Sequence, residues 1–207
     1  VPSRKEYDMV LGITGGIATG KTAVSNILQE MGFDIIDMDI ISREVIKLPE
    51  IIEMLTKEFG TDILNNGGID RKKLRNAVFD SREKVDRLDS IMHPAIIKIS
   101  KEKIKELKDM KKKLIVVVIP LLFEVNLEYL ADKILLVAAS REKQTERIIK
   151  RDNTNRTDAE NIINSQMSLD EKRKKSDYII ENNGNLSELR RKVLEFLNNL
   201  NYTGENI

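Results

Sequence analysis

The chain of 207 residues carries 35 lysines and arginines against 34 aspartates and glutamates, with one histidine and no cysteine. That composition excludes disulfides, thiolate chemistry, Cys-based zinc sites and a histidine metal cluster. Its near-neutral charge gives no electrostatic reason to expect nucleic acid or a membrane as partner, and no apolar run approaches the ~18 residues of a membrane span.

The opening stretch VPSRKEYDM has no apolar signal core and reads as a polar lead-in, so a cytoplasmic protein is expected. An apolar run, Met9–Thr14, then predicts a first strand. It leads into TGGIATGKT, Thr14–Thr22, after which Ala23, Ile27, Leu28 and Met31 recur at helical spacing. Asp34–Asp39 predicts a second strand. From Ile40 to Lys113 no strand candidate appears, only helical stretches at Ile51–Phe59, Arg71–Phe79 and Pro94–Met110. Leu114–Pro120 and Lys133–Ala139 are nearly continuous in Val, Ile and Leu, as strands covered on both faces require. An Arg-rich segment follows, then a fifth strand at Asp177–Asn182 and an amphipathic helix through Leu186, Leu189, Val193 and Leu197. The closing NYTGENI is expected to fray.

Strands alternating with helices predict an α/β fold with a five-stranded parallel sheet. One domain spanning 1–207 is expected. Segments 8–39, 112–140 and 177–201 would form its core, 40–111 a helical acceptor-binding lobe and 141–170 a small lid.

Gly15, Gly20, Lys21 and Thr22 satisfy G-x-x-x-x-G-K-[ST], the phosphate-binding loop. Glycines permit a loop whose successive N–H groups form an anion nest, and the following helix adds its own unpaired N–H groups and positive dipole end. Lys21 supplies charge for the phosphates and the Thr22 hydroxyl is placed to ligate Mg²⁺. The run Gly15, Gly16, Ile17, Ala18, Thr19, Gly20, Lys21, Thr22 and Ala23 is therefore the candidate ATP site. No base-reading N-K-x-D follows Ile134–Ser140, which argues against a GTPase. The third strand runs into PLLFE (Pro120–Glu124) rather than ending in an acidic Mg²⁺ partner, so a small P-loop kinase suits the chain better than a motor ATPase.

Ligands of an open parallel sheet bind at the carboxyl ends of its strands. Thr14 ends the first strand, and Asp39 ends the second if that strand persists. There Asp39 has two readings, a base for an acceptor hydroxyl or an N-cap for the helix starting at Ile40. Arg147 and Arg151 lie four apart, on one helical face, and suit phosphate; a solvated helix with ion pairs to Glu142 or Asp152 is the lesser reading. Arg156 would lie at the lid tip. Asn182, Asn183 and Gly184 read as an adenine rim or a simple turn. His93 before Pro94 reads as structural at a helix start.

FDIIDMDIISREV (Phe33–Val45) behind TGGIATGKT resembles the dephospho-coenzyme A kinase family. NGGIDRKKLRNAVF (Asn66–Phe79) is similar to that family's G-x-I-D-R-x-x-L-R-x-x-V-F block, IMHPAI to its L-H-P-x-I segment, and PLLFE and DYIIENNGNLSELR to two further blocks. The chain departs from it in ATGKT, where G-S-G-K-S is common, and in the short turn IKLPE. The resemblance implies transfer of the ATP γ-phosphoryl group to the ribose 3′-hydroxyl of dephospho-coenzyme A. It implies Asp39 as the base, Lys21 and Arg151 as catalytic cations, and Arg147, Arg156 and Asn183 as further nucleotide contacts. Thr14, Arg75, His93 and Glu124 would face the acceptor, although Glu124 reads equally as a helix cap. A monomer or weak homo-oligomer is expected. Another nucleoside or nucleotide kinase, or a regulatory ATP-binding switch, are the competing readings.

Overall fold

Met9–Gly15 forms the central strand β1, and every residue after Met9 is buried, as an apolar run covered on both faces must be. The computed structural model describes residues 9–79, 81–200 and 202. The polar lead-in before Met9 and, of the closing NYTGENI, every residue but Tyr202 lie outside them. The chain divides into two compact units: the described residues up to Asp37 with those from Ile104 onward, and Met38–Lys103.

In the first unit β1 is followed by α1 (Lys21–Glu30) and β2 (Asp34–Asp37). The second unit holds α2 (Met38–Val45), α3 (Pro49–Phe59), a two-stranded hairpin of β3 (Leu64–Asn65) and β4 (Gly68–Ile69), α4 (Arg71–Val78) and most of α5 (Arg82–Asp109). Back in the first unit come β5 (Leu114–Val118), β6 (Lys133–Ala138), α6 (Arg141–Asp152), α7 (Arg156–Asn164), α8 (Leu169–Lys175), β7 (Tyr178–Glu181) and α9 (Leu186–Asn199).

The five long strands form one parallel sheet in the order β2-β5-β1-β6-β7. Register pairs Ile13 with Val118 on one side and with Leu135 on the other. The connection from β1 leaves toward the β2 edge and that from its neighbour β5 crosses to β6 on the other side, so the loop after β1 sits at the point where the strand order reverses, where such sheets bind ligands. One apolar core joins Leu11, Ile13, Val116, Val118, Leu135 and Val137 of the sheet to Val24, Ile27 and Leu28 of α1 and Leu189, Val193 and Phe196 of α9. The helical spacings noted in the sequence are these buried faces.

Several boundaries differ from the sequence reading. β2 stops at Asp37, and Asp39 lies in the first turn of α2, because Met38, Ile41 and Val45 bury one helical face. Alternation along a strand therefore does not relate Asp37 to Asp39, and Asp39 is not an N-cap. The stretch from Ile40 to Lys113 does contain strands, the β3–β4 hairpin. Asn66 (φ 49°) and Gly67 (φ 80°) turn it in the left-handed conformation that Asn-Gly favours. Pro94 opens no helix. It sits inside α5, which starts a dozen residues earlier behind Ser81, whose Oγ accepts from Lys84 N at 3.3 Å. The unit boundary falls within α5, between Lys103 and Ile104, rather than at residue 111.

Candidate active site

The loop between β1 and α1 is shaped first by its own residues. Gly20, at φ 101°, occupies a conformation that disfavours any side chain, and a Cβ there would lie 2.1 Å from Asn182 Nδ2. A Cβ on Gly15 would meet the Val137 carbonyl oxygen at 2.3 Å. Thr19 is fully buried and its Oγ1 donates to Gly16 O at 2.9 Å, closing the turn. Lys21 Nζ donates to Gly16 O at 2.8 Å and Gly15 O at 3.2 Å, which keeps the ammonium on the loop itself. Thr22, at the second position of α1, is exposed, and the helix ladder begins only with Val24 N to Gly20 O at 3.1 Å. The N–H groups before it have no acceptor inside the helix and leave that end attractive to an anion. Ala18 stands at φ 58°, where a non-glycine residue costs about 1 kcal/mol. The departure ATGKT is therefore not conservative at the backbone: the alanine stores strain where a glycine would store none.

Side chains from distant segments hold this loop through long-range hydrogen bonds. Gln144 Nε2 donates to Ile17 O at 2.7 Å, while Ile17 N donates to Gln166 Oε1 at 2.8 Å. Arg147 Nη1 donates to Ala18 O at 3.0 Å and Thr19 O at 3.3 Å, and its Nη2 to Asn182 O at 2.9 Å. Asn182 Nδ2 donates to Thr19 O at 2.8 Å. Gln144 and Gln166 were not singled out in the sequence. The one signal for Gln144 is its place one turn before Arg147 and Ile148 on the inward face of α6, where it is buried with Ile148.

The remaining expected cations and amides are placed separately. Arg151 donates from Nε and Nη2 to both carboxylate oxygens of Asp152, each at 2.7 Å. That contact raises its pKa and lowers that of Asp152. Arg156, at the first position of α7, pairs with Glu142 at 2.7 Å and Glu160 at 3.1 Å, and the hydrogen bond to Glu142 is the main reason its pKa is raised. Both arginines stay cationic. Exposed pairs of this kind contribute ~0–1 kcal/mol, so they break at little cost. Asn183 Oδ1 accepts from Ser140 N at 2.7 Å, tying the exit of β7 to that of β6. Thr14 is fully buried, its Oγ1 3.4 Å from Pro120 O.

Glu124 lies in the turn after β5 and caps no helix. Its Oε1 is 2.7 Å from Nζ of Lys172, whose side chain is completely buried, and accepts from Met167 N at 3.3 Å. The close approach is an ion pair without a well-aligned hydrogen bond, and Glu124 Oε2 has no hydrogen-bond partner among the described residues. Breaking a buried pair from one side leaves an uncompensated charge. Lys172→Met is therefore expected to destabilise the protein by about 3 kcal/mol, and Lys172→Met/Glu124→Gln to regain most of that loss in denaturant unfolding. Equal stability of the two variants would show the pair to be energetically silent.

In the other unit, Asp39 is exposed in the first turn of α2 and Arg75 is exposed in the last turn of α4. His93 stands one turn after Asp89 within α5, its Nε2 3.5 Å from Asp89 Oδ1.

A sequence model of the family described as dephospho-CoA kinase matches residues 9–188. The chain belongs to the dephospho-CoA kinase family. A dephospho-CoA kinase of Fusobacterium nucleatum is 46% identical over 190 residues, covering 91% of this chain and 96% of that protein. One of Carboxydothermus hydrogenoformans is 42% identical over 190 residues, covering 91% and 92%. Among solved structures, TT1252 of Thermus thermophilus superposes with a TM-score of 0.80 at 30% identity over 94% of this chain and 98% of that one. A dephospho-CoA kinase of Campylobacter jejuni gives 0.66 at 27%, over 93% and 97%. A shikimate kinase of Acinetobacter baumannii shares the fold with a TM-score of 0.56 at 14% identity, over 96% and 97%. The fold is thus that of the P-loop kinases, and membership of this family makes ATP the co-substrate. No helix among the described residues is long and apolar enough to cross a membrane.

Proposed function

We propose that the chain transfers the γ-phosphoryl group of ATP to the ribose 3′-hydroxyl of dephospho-coenzyme A. The observation that carries this reading is the family match over residues 9–188, which includes the loop and the lobe together. In the reaction a bond forms between the 3′-oxygen and the γ-phosphorus while the bond from that phosphorus to the β–γ bridging oxygen breaks, and ADP leaves.

The residues divide the work. The N–H groups of residues 15–23 and Lys21 bind the triphosphate, with Arg147 holding the loop and Asn183 completing the nucleotide side. Among the described residues no cluster of three or more acidic or histidine ligands exists, so Mg²⁺ would depend on the exposed Thr22 hydroxyl and the phosphates themselves, a donor set that suits it. When bound, that ion neutralises charge on the phosphate oxygens. Asp39 accepts the proton of the 3′-hydroxyl. Arg151 and Arg156 exchange their carboxylate partners for phosphate oxygens as charge develops. Arg75 and His93 serve the acceptor; Thr14 and the Glu124 carboxylate oxygen without a hydrogen-bond partner are both sealed from solvent, so these two would reach it only where the acceptor displaces their cover. The near-neutral charge supports a small-molecule enzyme that uses no nucleic acid; a cytoplasmic monomer or weak homo-oligomer is part of the same reading.

A coupled ATP-turnover assay tests the reading with dephospho-coenzyme A, with other nucleosides and nucleotides, and without acceptor. Turnover is expected only with dephospho-coenzyme A. Preference for another acceptor would make the chain a different kinase, and equal turnover without acceptor would make it an ATP-driven switch.

A further inference from the structure

Three successive carbonyls of the phosphate loop, those of Ile17, Ala18 and Thr19, each accept a hydrogen bond from a side chain outside the loop. Two of the donors are amides that are themselves nearly sealed from solvent, Gln144 at 3% and Asn182 at 6% exposure. They come from the start of the lid segment, in α6, and from the exit of β7 beyond it. In a planar trans peptide the C=O and the following N–H point to opposite sides. Whatever draws the carbonyl of Ile17 one way turns the N–H of Ala18 the other, and the carbonyl of Thr19 is linked to the N–H of Gly20 in the same manner.

We propose that Gln144 and Asn182 are positioning residues for the triphosphate: their amide donors hold the Ile17 and Thr19 carbonyls back, so that the N–H groups of Ala18 and Gly20 face the anion. A nest works only while its N–H groups share one side, and a single flipped peptide would present an oxygen to phosphate instead. Glycine and alanine at positions 20 and 18 leave the loop backbone free to flip. The buried amides oppose this, because a flip would strand their N–H groups without partners. Gly20 also fits the scheme: any Cβ there would collide with the same Asn182 amide. Gln166 completes the frame with the reverse polarity, accepting the N–H of Ile17, which points away.

The inference rests on the loop being the ATP site. Calorimetric titration of ATP with Mg²⁺ into the unaltered protein therefore comes first, and absence of binding there would overturn both readings. Given binding, Gln144→Met and Asn182→Leu are each expected to raise the ATP dissociation constant at least tenfold, measured well below the melting midpoint. KM for ATP should rise with it and kcat should fall by less than threefold. Gln144→Glu, Asn182→Asp and Gln166→Glu separate polarity from charge. Each adds one negative charge beside the loop, yet only the first two replace a donor by an acceptor, so they should weaken binding several-fold more than the third. Dissociation constants within twofold of the parent for Gln144→Met and Asn182→Leu, with only the melting midpoint lowered, would reduce these residues to structural supports. Equal losses for all three carboxylate variants would do the same.

Discussion

Lys21→Ala is expected to lower kcat/KM by at least ~10³-fold and to weaken ATP binding, with little change in melting midpoint. The ammonium contributes twice. It is the point charge closest in sequence to the loop's anion site, and losing one preorganised donor to developing charge commonly costs ~10²–10³ in kcat. Binding of the ground-state triphosphate adds a further loss, because hydrogen bonds to phosphate from a charged donor are about twice as strong as neutral ones. Stability should hardly respond, since the side chain is only half-buried and donates to the backbone oxygens of Gly15 and Gly16. Steady-state kinetics with calorimetry checks this. Full activity in the variant would remove the loop from the mechanism.

Asp39→Asn is expected to lower kcat by roughly 10²–10⁴, the usual contribution of a positioned general base, while leaving ATP affinity unchanged. Asparagine is nearly isosteric but has no proton-accepting carboxylate. The competing role is electrostatic: Asp39 is the acidic residue in the first turn of α2, where a negative charge contributes about 0.3–1 kcal/mol through the helix dipole. The two roles predict different readouts. Loss of the base slows turnover at saturating substrates in a protein that melts normally; loss of the dipole partner lowers the melting midpoint slightly and spares kcat. The second outcome would assign the carboxylate to helix stability.

Much of the fold was legible because its signals are local. Met9–Ile13, Leu114–Val118 and Ile134–Ala138 are apolar without interruption, and neighbouring helical spacings leave little choice but a covered parallel sheet. The elements misread were those whose local signal competes with context. Pro94 normally marks a helix start, yet α5 extends through it, with Met92, Ile96 and Ile104 buried on either side. The β3–β4 hairpin is only two residues per strand, too short for alternation to register, although Asn66-Gly67 carried the turn signal.

The candidate site divides along the same line. By itself the amino-acid order determined the phosphate loop, because backbone freedom at Gly15 and Gly20, a cation at Lys21 and a hydroxyl at Thr22 act within one short segment. It equally determined the Arg-rich character of α6 and the family likeness. Only the tertiary structure decided which side chains hold that loop. Gln144 meets Ile17 across 127 positions and Asn182 meets Thr19 across 163. It also decided that Glu124 is joined to a buried Lys172 and that Arg147 grips backbone oxygens rather than standing free. Glutamine, asparagine and lysine are ordinary surface residues in any short window. What sets these apart is burial and the direction of a hydrogen bond, and neither exists until the sheet brings distant segments together.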